Sequence, residues 1–273
     1  MEQAPTLVIG GAEDKVHQLE ILQTFWRRAG GYQARLGIIP SASGEPAVIG
    51  SLYQRLFENM GCRWVQVLDV REREQTEDPR WHERLQDFTG IFLTGGDQLR
   101  LATLLADSAL LAALHYYRER GQLTLAGTSA GAAAMGYHMI AGGGSGESPH
   151  PALVHMADGL GFLPDVIVDQ HFHNRNRVAR LFSAVVMHPD CLGVGVDEDT
   201  CALFERSGEL QVLGRGTVMI LDAGEAASFC ECHPHSRTPV SIHNLRVHLL
   251  RRGDRFDYRR RRVLPPVYQH CPV

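Results

Sequence analysis

The sequence predicts an α/β fold, with a mainly parallel sheet flanked by helices on both faces and a more β-rich C-terminal part. In the first half, short apolar runs alternate with longer segments of helical periodicity. That alternation is typical of parallel strands joined by crossover helices. From about residue 205 onward, short strands alternate with turns. No internal repeat and no clear linker interrupts the 273 residues, so we expect a single domain over 1–273.

The predicted strands are apolar runs bounded by glycine or polar residues. Three of them lead into glycine-rich tails, Gly10-Gly11, Gly95-Gly96 and Gly127 to Gly131. Because the carboxyl ends of parallel strands meet at one edge of a sheet, we expect these loops to gather where such folds place their sites. The predicted strands cover 6–11, 35–40, 63–70, 90–96, 123–127 and 165–172, and 192–204 reads as two strands around an acidic turn.

The predicted helices carry apolar residues at helical spacing and end near glycine. In the first, Val16, Leu19, Leu22 and Phe25 share one face, and Gly30 is the stop signal. The predicted helices cover 13–31, 45–61, 79–88, 99–121 and 176–189. Between two of them, the polar stretch 142–151 is expected to form a flexible loop, a candidate lid.

Composition excludes several classes of protein. The formal net charge is −4, and nothing demands nucleic acid as a partner. No apolar run reaches transmembrane length and the first residues do not resemble a secretory signal, so we expect a cytoplasmic protein without a membrane partner. The six cysteines show no framework spacing, which favours reduced thiols.

The segment Gly127-Thr128-Ser129-Ala130-Gly131 has the spacing G-x-S-x-G directly after an apolar run. This is the pattern of a nucleophile elbow, where a strand turns sharply into a helix and exposes a serine hydroxyl. A plain strand–helix junction of small residues with a buried serine would have the same sequence pattern. Other residues must therefore decide between the two interpretations.

An activated serine needs a base and a group that orients the base. His171 closes the predicted strand 165–172 at the edge where the serine loop is expected, although a polar strand end is the simpler interpretation. The orienting acid could be Asp197, Glu198 or Asp199, which otherwise form a solvated turn.

The order serine, histidine, acid differs from that of α/β-hydrolases, which run serine, acid, histidine. Asp169 or Asp197 combined with His243 would restore the hydrolase order.

The loop in FLTGGDQLR offers backbone donors for a developing oxyanion. The N–H of Gly96, or of Asp97, together with that of Ala130 would make a two-donor hole. A plain turn with Asp97 as helix N-cap is compatible with this. After His171, the residues Arg175, Arg177 and Arg180 form either a solvated edge or a site for a carboxylate-rich substrate.

The blocks IGGAEDK, FLTGGDQLRL, GTSAGAAAM, GGGSGESP, DQHFHNRNRVARL and GVGVDEDT occur in this order between roughly residues 6 and 204. Together they resemble the cyanophycinases, serine peptidases of the family that includes the aspartyl dipeptidase E group. The resemblance implies a core similar to that of class I glutamine amidotransferases, a homodimer, and no cofactor or metal. It implies cleavage of cyanophycin, an aspartate-backbone polymer with arginine on each β-carboxyl, to β-Asp-Arg dipeptides.

The resemblance also assigns roles to residues of this chain. It places the nucleophile at Ser129, the base at His171 and the acid at Glu198. The substrate-pocket residues that it implies are Gln98, Asp169, Gln170, Arg175, Arg177 and Arg180. Asp169 is then expected to hold the guanidinium of a substrate arginine.

One position departs from the family pattern, because His150 stands after SGESP where its members usually have arginine. Two other functions remain open: a peptidase for short aspartyl or isoaspartyl peptides without polymer activity, and a catalytically silent binding protein. The second would gain support from a metal at Cys230, Cys232, His233 and His235, although these lack the usual two-pair zinc spacing.

Overall fold

The computed structural model describes residues 4–225, 227–228 and 233–265. Its strands are β1 (Thr6–Ile9), β2 (Arg35–Ile39), β3 (Trp64–Val67), β4 (Gly90–Leu93), β5 (Thr124–Thr128), β6 (His138–Gly143), β7 (Val154–Asp158), β8 (Val166–Gln170), β9 (Leu192–Val196), β10 (Thr200–Phe204), β11 (Glu209–Gly214), β12 (Thr217–Asp222), β13 (Ala227–Ser228), β14 (Ile242–His243), β15 (Arg246–Arg251), β16 (Arg255–Asp257) and β17 (Arg262–Leu264). Its α-helices are α1 (Glu20–Arg28), α2 (Pro46–Asn59), α3 (Arg73–Thr76), α4 (Trp81–Leu85), α5 (Gln98–Leu105), α6 (Ala109–Glu119), α7 (Ala130–Ala133) and α8 (Val178–Met187).

A sheet of nine strands forms the centre of the fold, in the order β17-β16-β11-β10-β1-β5-β4-β2-β3. The five strands from β1 to β3 in that order run parallel, whereas β10, β11, β16 and β17 add an antiparallel extension. The predicted α/β fold with a mainly parallel sheet core and a β-rich C-terminal part is confirmed. The closer likeness to class I glutamine amidotransferases stays a prediction.

The predicted strand 165–172 belongs to a separate sheet. Strands β8 and β9 pair in parallel with each other and join β12 and β15 in a four-stranded sheet, in the order β15-β12-β9-β8. The acidic turn after β9 then carries the chain into β10 of the large sheet, so residues 192–204 supply one strand to each sheet.

The central strands of the large sheet, β1, β4 and β5, are buried on both faces, which explains why they read as continuous apolar or small-residue runs. Along β1, Leu7 and Ile9 pack with α1 and α2, while Val8 between them packs with α5, α6 and α7 on the other face. The four-stranded sheet packs on this second side through Val168 and Val194 and is itself covered by α8.

The first helix is shorter than predicted. The carboxylate of Asp14 accepts the backbone N–H groups of four residues, Val16, His17, Gln18 and Leu19. This capped turn replaces the predicted first helical turns, and Val16 is 77% exposed instead of buried. A short polar side chain that bonds nearby backbone groups competes with the helix in this way.

The predicted helix 99–121 is two helices, α5 and α6, bent by 92° relative to each other. Asp107 has a φ of 52° at the break, and Ser108 caps α6 by accepting the N–H of Leu111. Within the part of the chain that the structure describes, no single helix is long and apolar enough to span a membrane, although the bent α5–α6 pair has the length and composition.

The predicted loop 142–151 emerges from a hairpin that the sequence reading missed. Strands β6 and β7 pair antiparallel on either side of this loop. Their ladder includes an irregularity between Ile140 and Gly142. The loop is therefore anchored at both ends instead of hanging between helices.

Phe92 lies at the centre of the aromatic cluster beneath α1 and α2. Its ring centroid lies 5.6 Å from that of Phe25, 4.6 Å from that of Tyr53 and 5.7 Å from that of Phe57. We expect Phe92→Ala to lower the free energy of unfolding by about 3–5 kcal/mol, because a large cavity opens in a rigid core. Urea denaturation measures this loss.

The control for this prediction is Val48→Ala on α2, where the valine is 62% exposed. It is expected to change stability by less than about 0.5 kcal/mol. Equal losses in the two variants would contradict the assignment of Phe92 to the core.

Candidate active site

Ser129 lies on a sharp, strained turn between β5 and α7. Its φ is 52° and its ψ is −112°, a backbone conformation that residues other than glycine rarely adopt. The flanking glycines permit the turn: a Cβ on Gly127 would lie 2.4 Å from the carbonyl oxygen of Gly131, and a Cβ on Gly131 would lie 2.4 Å from that of Leu93. The geometry is that of a nucleophile elbow.

The predicted serine, histidine and glutamate form a continuous hydrogen-bonded chain. Ser129 Oγ lies 2.9 Å from His171 Nε2, and His171 Nδ1 lies 2.6 Å from Glu198 Oε1. A serine, an imidazole and a carboxylate in this sequence of contacts can deprotonate the hydroxyl and stabilise the resulting imidazolium. The order along the chain is serine, histidine, acid.

Three successive carbonyl oxygens at the end of β1 hold the segments that carry these groups. Each accepts one N–H, from the elbow, from the end of β8 and from the acidic turn. The pairs are Ile9 O with Ser129 N at 3.0 Å, Gly10 O with His171 N at 2.8 Å, and Gly11 O with Asp199 N at 2.9 Å.

The imidazole also lies directly against Gly11. A Cβ on that glycine would lie 2.4 Å from His171 Cε1, so no side chain fits there. The sequence predicts this glycine pair at the site edge, but not its contact with the imidazole.

The three neighbouring acids have different partners, which separates the alternatives left open by the sequence. Asp197 Oδ1 accepts the His173 N–H at 2.9 Å, and Asp199 Oδ2 lies 3.1 Å from Arg215 Nε. Of the three acids, Glu198 is the one that contacts the imidazole of His171.

The loop after β4 lies beside the serine, as predicted for an oxyanion hole. A Cβ on Gly95 would lie 3.2 Å from Ser129 Cβ. Asp97 caps α5 through its side chain, and its N–H donates to the carbonyl oxygen of Ala42 at 2.8 Å. This leaves the Gly96 N–H, together with the Ala130 N–H at the start of α7, as the better pair of donors. Their role stays a prediction.

Asp169 is almost fully buried and is paired within the chain. It is 1% exposed, and both carboxylate oxygens accept hydrogen bonds from Arg180, with Nε to Oδ2 at 2.6 Å. Arg177 Nη1 lies 3.6 Å from the same carboxylate. This differs from the expectation that Asp169 takes a substrate guanidinium, because two arginines of the chain already occupy it. Asp169 and Arg180, which is 5% exposed, instead hold the segment after His171 in place.

The remaining predicted pocket residues differ in exposure. Arg175 is exposed, while the side chain of Arg177 keeps 12% of its surface accessible. Gln170 Oε1 lies 3.5 Å from Ser129 Oγ. Gln98 Nε2 donates to the carbonyl oxygens of Ile140 and Ala141, which ties α5 to β6. Arg175 is thus the most accessible member, while Gln170 is buried beside Ser129.

Glu13 is a buried acid that the sequence reading missed. It is 3% exposed, accepts a hydrogen bond from Thr128 Oγ1 at 2.6 Å and another from the Tyr53 hydroxyl, and lies 3.0 Å from Lys15 Nζ. Thr128 directly precedes the nucleophile candidate. An acidic residue four positions after an apolar strand, followed by the only lysine of the chain, was the available signal.

His150 lies near the end of the loop between β6 and β7. Its N–H donates to Ser183 Oγ at 3.1 Å and its Nε2 lies 3.4 Å from Glu147 Oε2, while Nδ1 is buried without a partner among the described residues.

Of the proposed zinc ligands, Cys230 and Cys232 lie outside the described residues. Within those residues, no group of three or more potential ligands could hold a metal ion.

Burial and neighbouring charges affect the pKa of His171. Burial lowers the pKa of His171 below its ordinary value, Arg175 and Arg177 act in the same direction, and the hydrogen bond with Glu198 opposes them. The imidazole is therefore neutral at pH 7 and can accept the serine proton.

A scan against protein families matches the model of peptidase family S51 over residues 6–213. The chain belongs to peptidase family S51. This confirms the expected family and the expected peptidase activity, and the serine at the elbow fits an S51 enzyme.

Curated relatives are similar over nearly the whole chain. A protein named cyanophycinase from Trichormus variabilis is 59% identical over 263 residues, which cover 96% of this chain and 88% of that protein. A cyanophycinase from Geminocystis herdmanii is 55% identical over 259 residues, covering 93% and 94%.

Solved structures support the fold of this S51 member. A peptidase from an acI-B1 Actinobacterium has a TM-score of 0.64 at 21% identity, covering 93% of this chain and 97% of that one. A putative peptidase E protein from Listeria monocytogenes has a TM-score of 0.55 at 15% identity, covering 78% and 98%. At these identities the likeness concerns the fold alone.

The arginines near His171 provide a test of its electrostatic setting. A cation beside an imidazole disfavours the imidazolium, so Arg175→Gln should raise the pKa of His171 towards the ordinary value of about 6.5. NMR titration of the imidazole in the wild type and the variant measures the shift. Arg206→Gln, at the opposite edge of the sheet, should leave it unchanged. A downward shift in Arg175→Gln would contradict the assignment.

The buried Glu13 network is expected to hold the elbow in its strained conformation. Glu13→Gln should lower the free energy of unfolding by about 1–3 kcal/mol, because the hydroxyls of Tyr53 and Thr128 lose a charged acceptor. It should also slow the reaction of Ser129 with a fluorophosphonate probe, measured by mass spectrometry.

Glu45→Gln makes the same chemical change on the surface and serves as the control. If Glu13→Gln reacts with the probe at the wild-type rate, Glu13 supports only the fold and not the elbow.

Proposed function

We propose that the protein is a serine-type exopeptidase that hydrolyses cyanophycin, multi-L-arginyl-poly-L-aspartate, to β-Asp-Arg dipeptides. The observation that carries the proposal is the Ser129–His171–Glu198 chain of contacts beside an arginine-rich segment. The relatives named cyanophycinase, which are 55–59% identical over at least 93% of the chain, supply the substrate.

In the proposed reaction, His171 Nε2 takes the proton of Ser129 Oγ while Glu198 stabilises the imidazolium. The serine oxygen attacks a backbone carbonyl carbon of the polymer. The N–H groups of Gly96 and Ala130 donate hydrogen bonds to the oxyanion. The imidazolium then returns its proton to the leaving amine, which leaves an ester on the serine. Water, deprotonated by the same imidazole, hydrolyses this ester and releases the dipeptide.

The cationic segment fits the charge of the substrate. Arginine attached through its α-amino group keeps a free carboxylate, so every unit of the polymer presents one anion and one guanidinium. We propose that Arg175 and Arg177 bind these carboxylates and that Gln170 contacts the unit being cleaved. In this proposal Gln98, Asp169 and Arg180 act as positioning residues.

The proposal extends to the setting of the enzyme. We propose that one domain carries the whole activity and that the protein works in the cytoplasm as a homodimer. The homodimer assignment rests on the family resemblance.

Incubation with insoluble cyanophycin tests the reaction. We expect the wild type to clear the suspension and release β-Asp-Arg, identified by mass spectrometry. Ser129→Ala should lower the rate by about 10⁴-fold or more, because the attacking oxygen is lost.

The control is Ser51→Ala, which changes an exposed serine on α2 and should cleave at the wild-type rate. Cleavage of short aspartyl or isoaspartyl peptides without release from the polymer would contradict the polymer assignment and favour the dipeptidase alternative. An active Ser129→Ala would refute the nucleophile.

A further inference from the structure

A cavity of about 400 Å³ lies at the edge of the sheets opposite Ser129. It is bordered by the residues that precede β8 and β9, whereas His171 and Glu198 follow the other ends of those strands. Since five residues of strand span about 15 Å, the cavity is separate from the candidate active site. The residues of interest in its lining are Arg118, Phe162, Asp165, Asp190, Arg259 and Arg261.

Arg118 is a buried cation without a carboxylate partner among the described residues. It is 4% exposed, its Nε donates to Thr6 Oγ1 at 3.1 Å, and its guanidinium carbon lies 5.9 Å from the centre of the Phe162 ring. Its two terminal nitrogens form no hydrogen bond with another described residue. They are not fully enclosed by protein atoms, because they are not among the completely buried polar atoms without a partner. Because Arg118 also lines the cavity, these nitrogens are its open donors.

The fold does not compensate this charge fully. Burial lowers the pKa of Arg118, as expected for an ion removed from water. Its place in the last turn of α6 is favourable through the helix dipole, but that interaction is smaller than the effective penalty for burying an ion. An anion that enters the cavity would supply the missing partner.

The mouth of the cavity carries charges of both signs, two aspartates together with Arg259 and Arg261. Asp165 and Asp190 are exposed, and neither carboxylate forms an ion pair or hydrogen bond with the described residues. Arg261, by contrast, already pairs with Asp222. The cavity therefore has one unpaired cation inside and, at its mouth, two unpaired carboxylates beside the exposed Arg259, which has no carboxylate partner among the described residues. It fits a short group that ends in a carboxylate on one side and a cation on the other.

We propose that this cavity is a second, non-catalytic binding site for an arginyl group, with the α-carboxylate on Arg118 and the guanidinium at Asp165 and Asp190. The polymer of the proposed function carries such a group on every unit, so the choice of the polymer as its source rests on that function. Binding at two edges of one molecule would retain the enzyme on an insoluble substrate between cleavage events, by raising the effective concentration of the chain.

Calorimetry with N-acetyl-L-arginine tests the site without relying on hydrolysis. The wild type should bind this probe at a site that Arg118→Met removes. The double variant Asp165→Asn/Asp190→Asn, which changes only exposed residues and should fold, should weaken the same site at least about tenfold. Arg120→Met, at the exposed end of the same helix, should bind like the wild type.

Two further probes separate the charges of the ligand. Agmatine, which lacks the carboxylate, and N-acetylcitrulline, which lacks the guanidinium, should both bind more weakly than N-acetyl-L-arginine. Isotherms that are unchanged in Arg118→Met and in the double aspartate variant would overturn the proposal.

Cosedimentation with insoluble cyanophycin tests the polymer as the source. In a Ser129→Ala background, Arg118→Met should reduce the bound fraction several-fold, and Arg120→Met should not. Probe binding without this reduction would overturn the polymer assignment. Failure of the proposed function is distinguishable, because it appears as absence of dipeptide release by the wild type, whatever calorimetry shows.

Discussion

Three successive carbonyl oxygens at the end of β1, those of Ile9, Gly10 and Gly11, each accept the N–H of a different site segment. These segments belong to different parts of the fold: the elbow continues the large sheet, His171 ends a strand of the smaller sheet, and the acidic turn connects the two. One short stretch of backbone therefore fixes their relative positions. A side chain at Gly11 is excluded on steric grounds, because the imidazole of His171 occupies the space of a Cβ.

The architecture was predictable where local pattern determines it. Strands buried on both faces read as continuous apolar runs, and their alternation with helices indicates parallel pairing. The division into two sheets left no such trace, because β8 and β9 are buried at every position, as β1 and β5 are, and only tertiary packing selects their neighbours. The turn at Asp14 also escaped, since one side chain that accepts four backbone N–H groups overrode the helical spacing around it.

At the candidate site, Ser129 was recognisable because a tight turn restricts the residue types on both sides. The acid could not be identified in this way, because the sequence alone does not distinguish three adjacent acidic residues. They differ in the direction in which the fold points their side chains. Asp199 has a φ of 48°, which turns the chain after Glu198, and the family resemblance selected the glutamate that faces His171. The depth of Asp169 was equally hidden, since its partner Arg180 lies eleven residues further on.

The division of the site between two sheets has a consequence for biosynthesis. The elbow is complete once β5 and α7 have emerged from the ribosome, but the proposed base follows Ser129 by 42 residues and the proposed acid follows later still, with a sheet that must first dock against α7. Segments of a chain become ordered as they are made, from the N-terminus onward. Ser129 is therefore synthesised before its proposed base, and its contact with His171 forms only when the second sheet packs against the first.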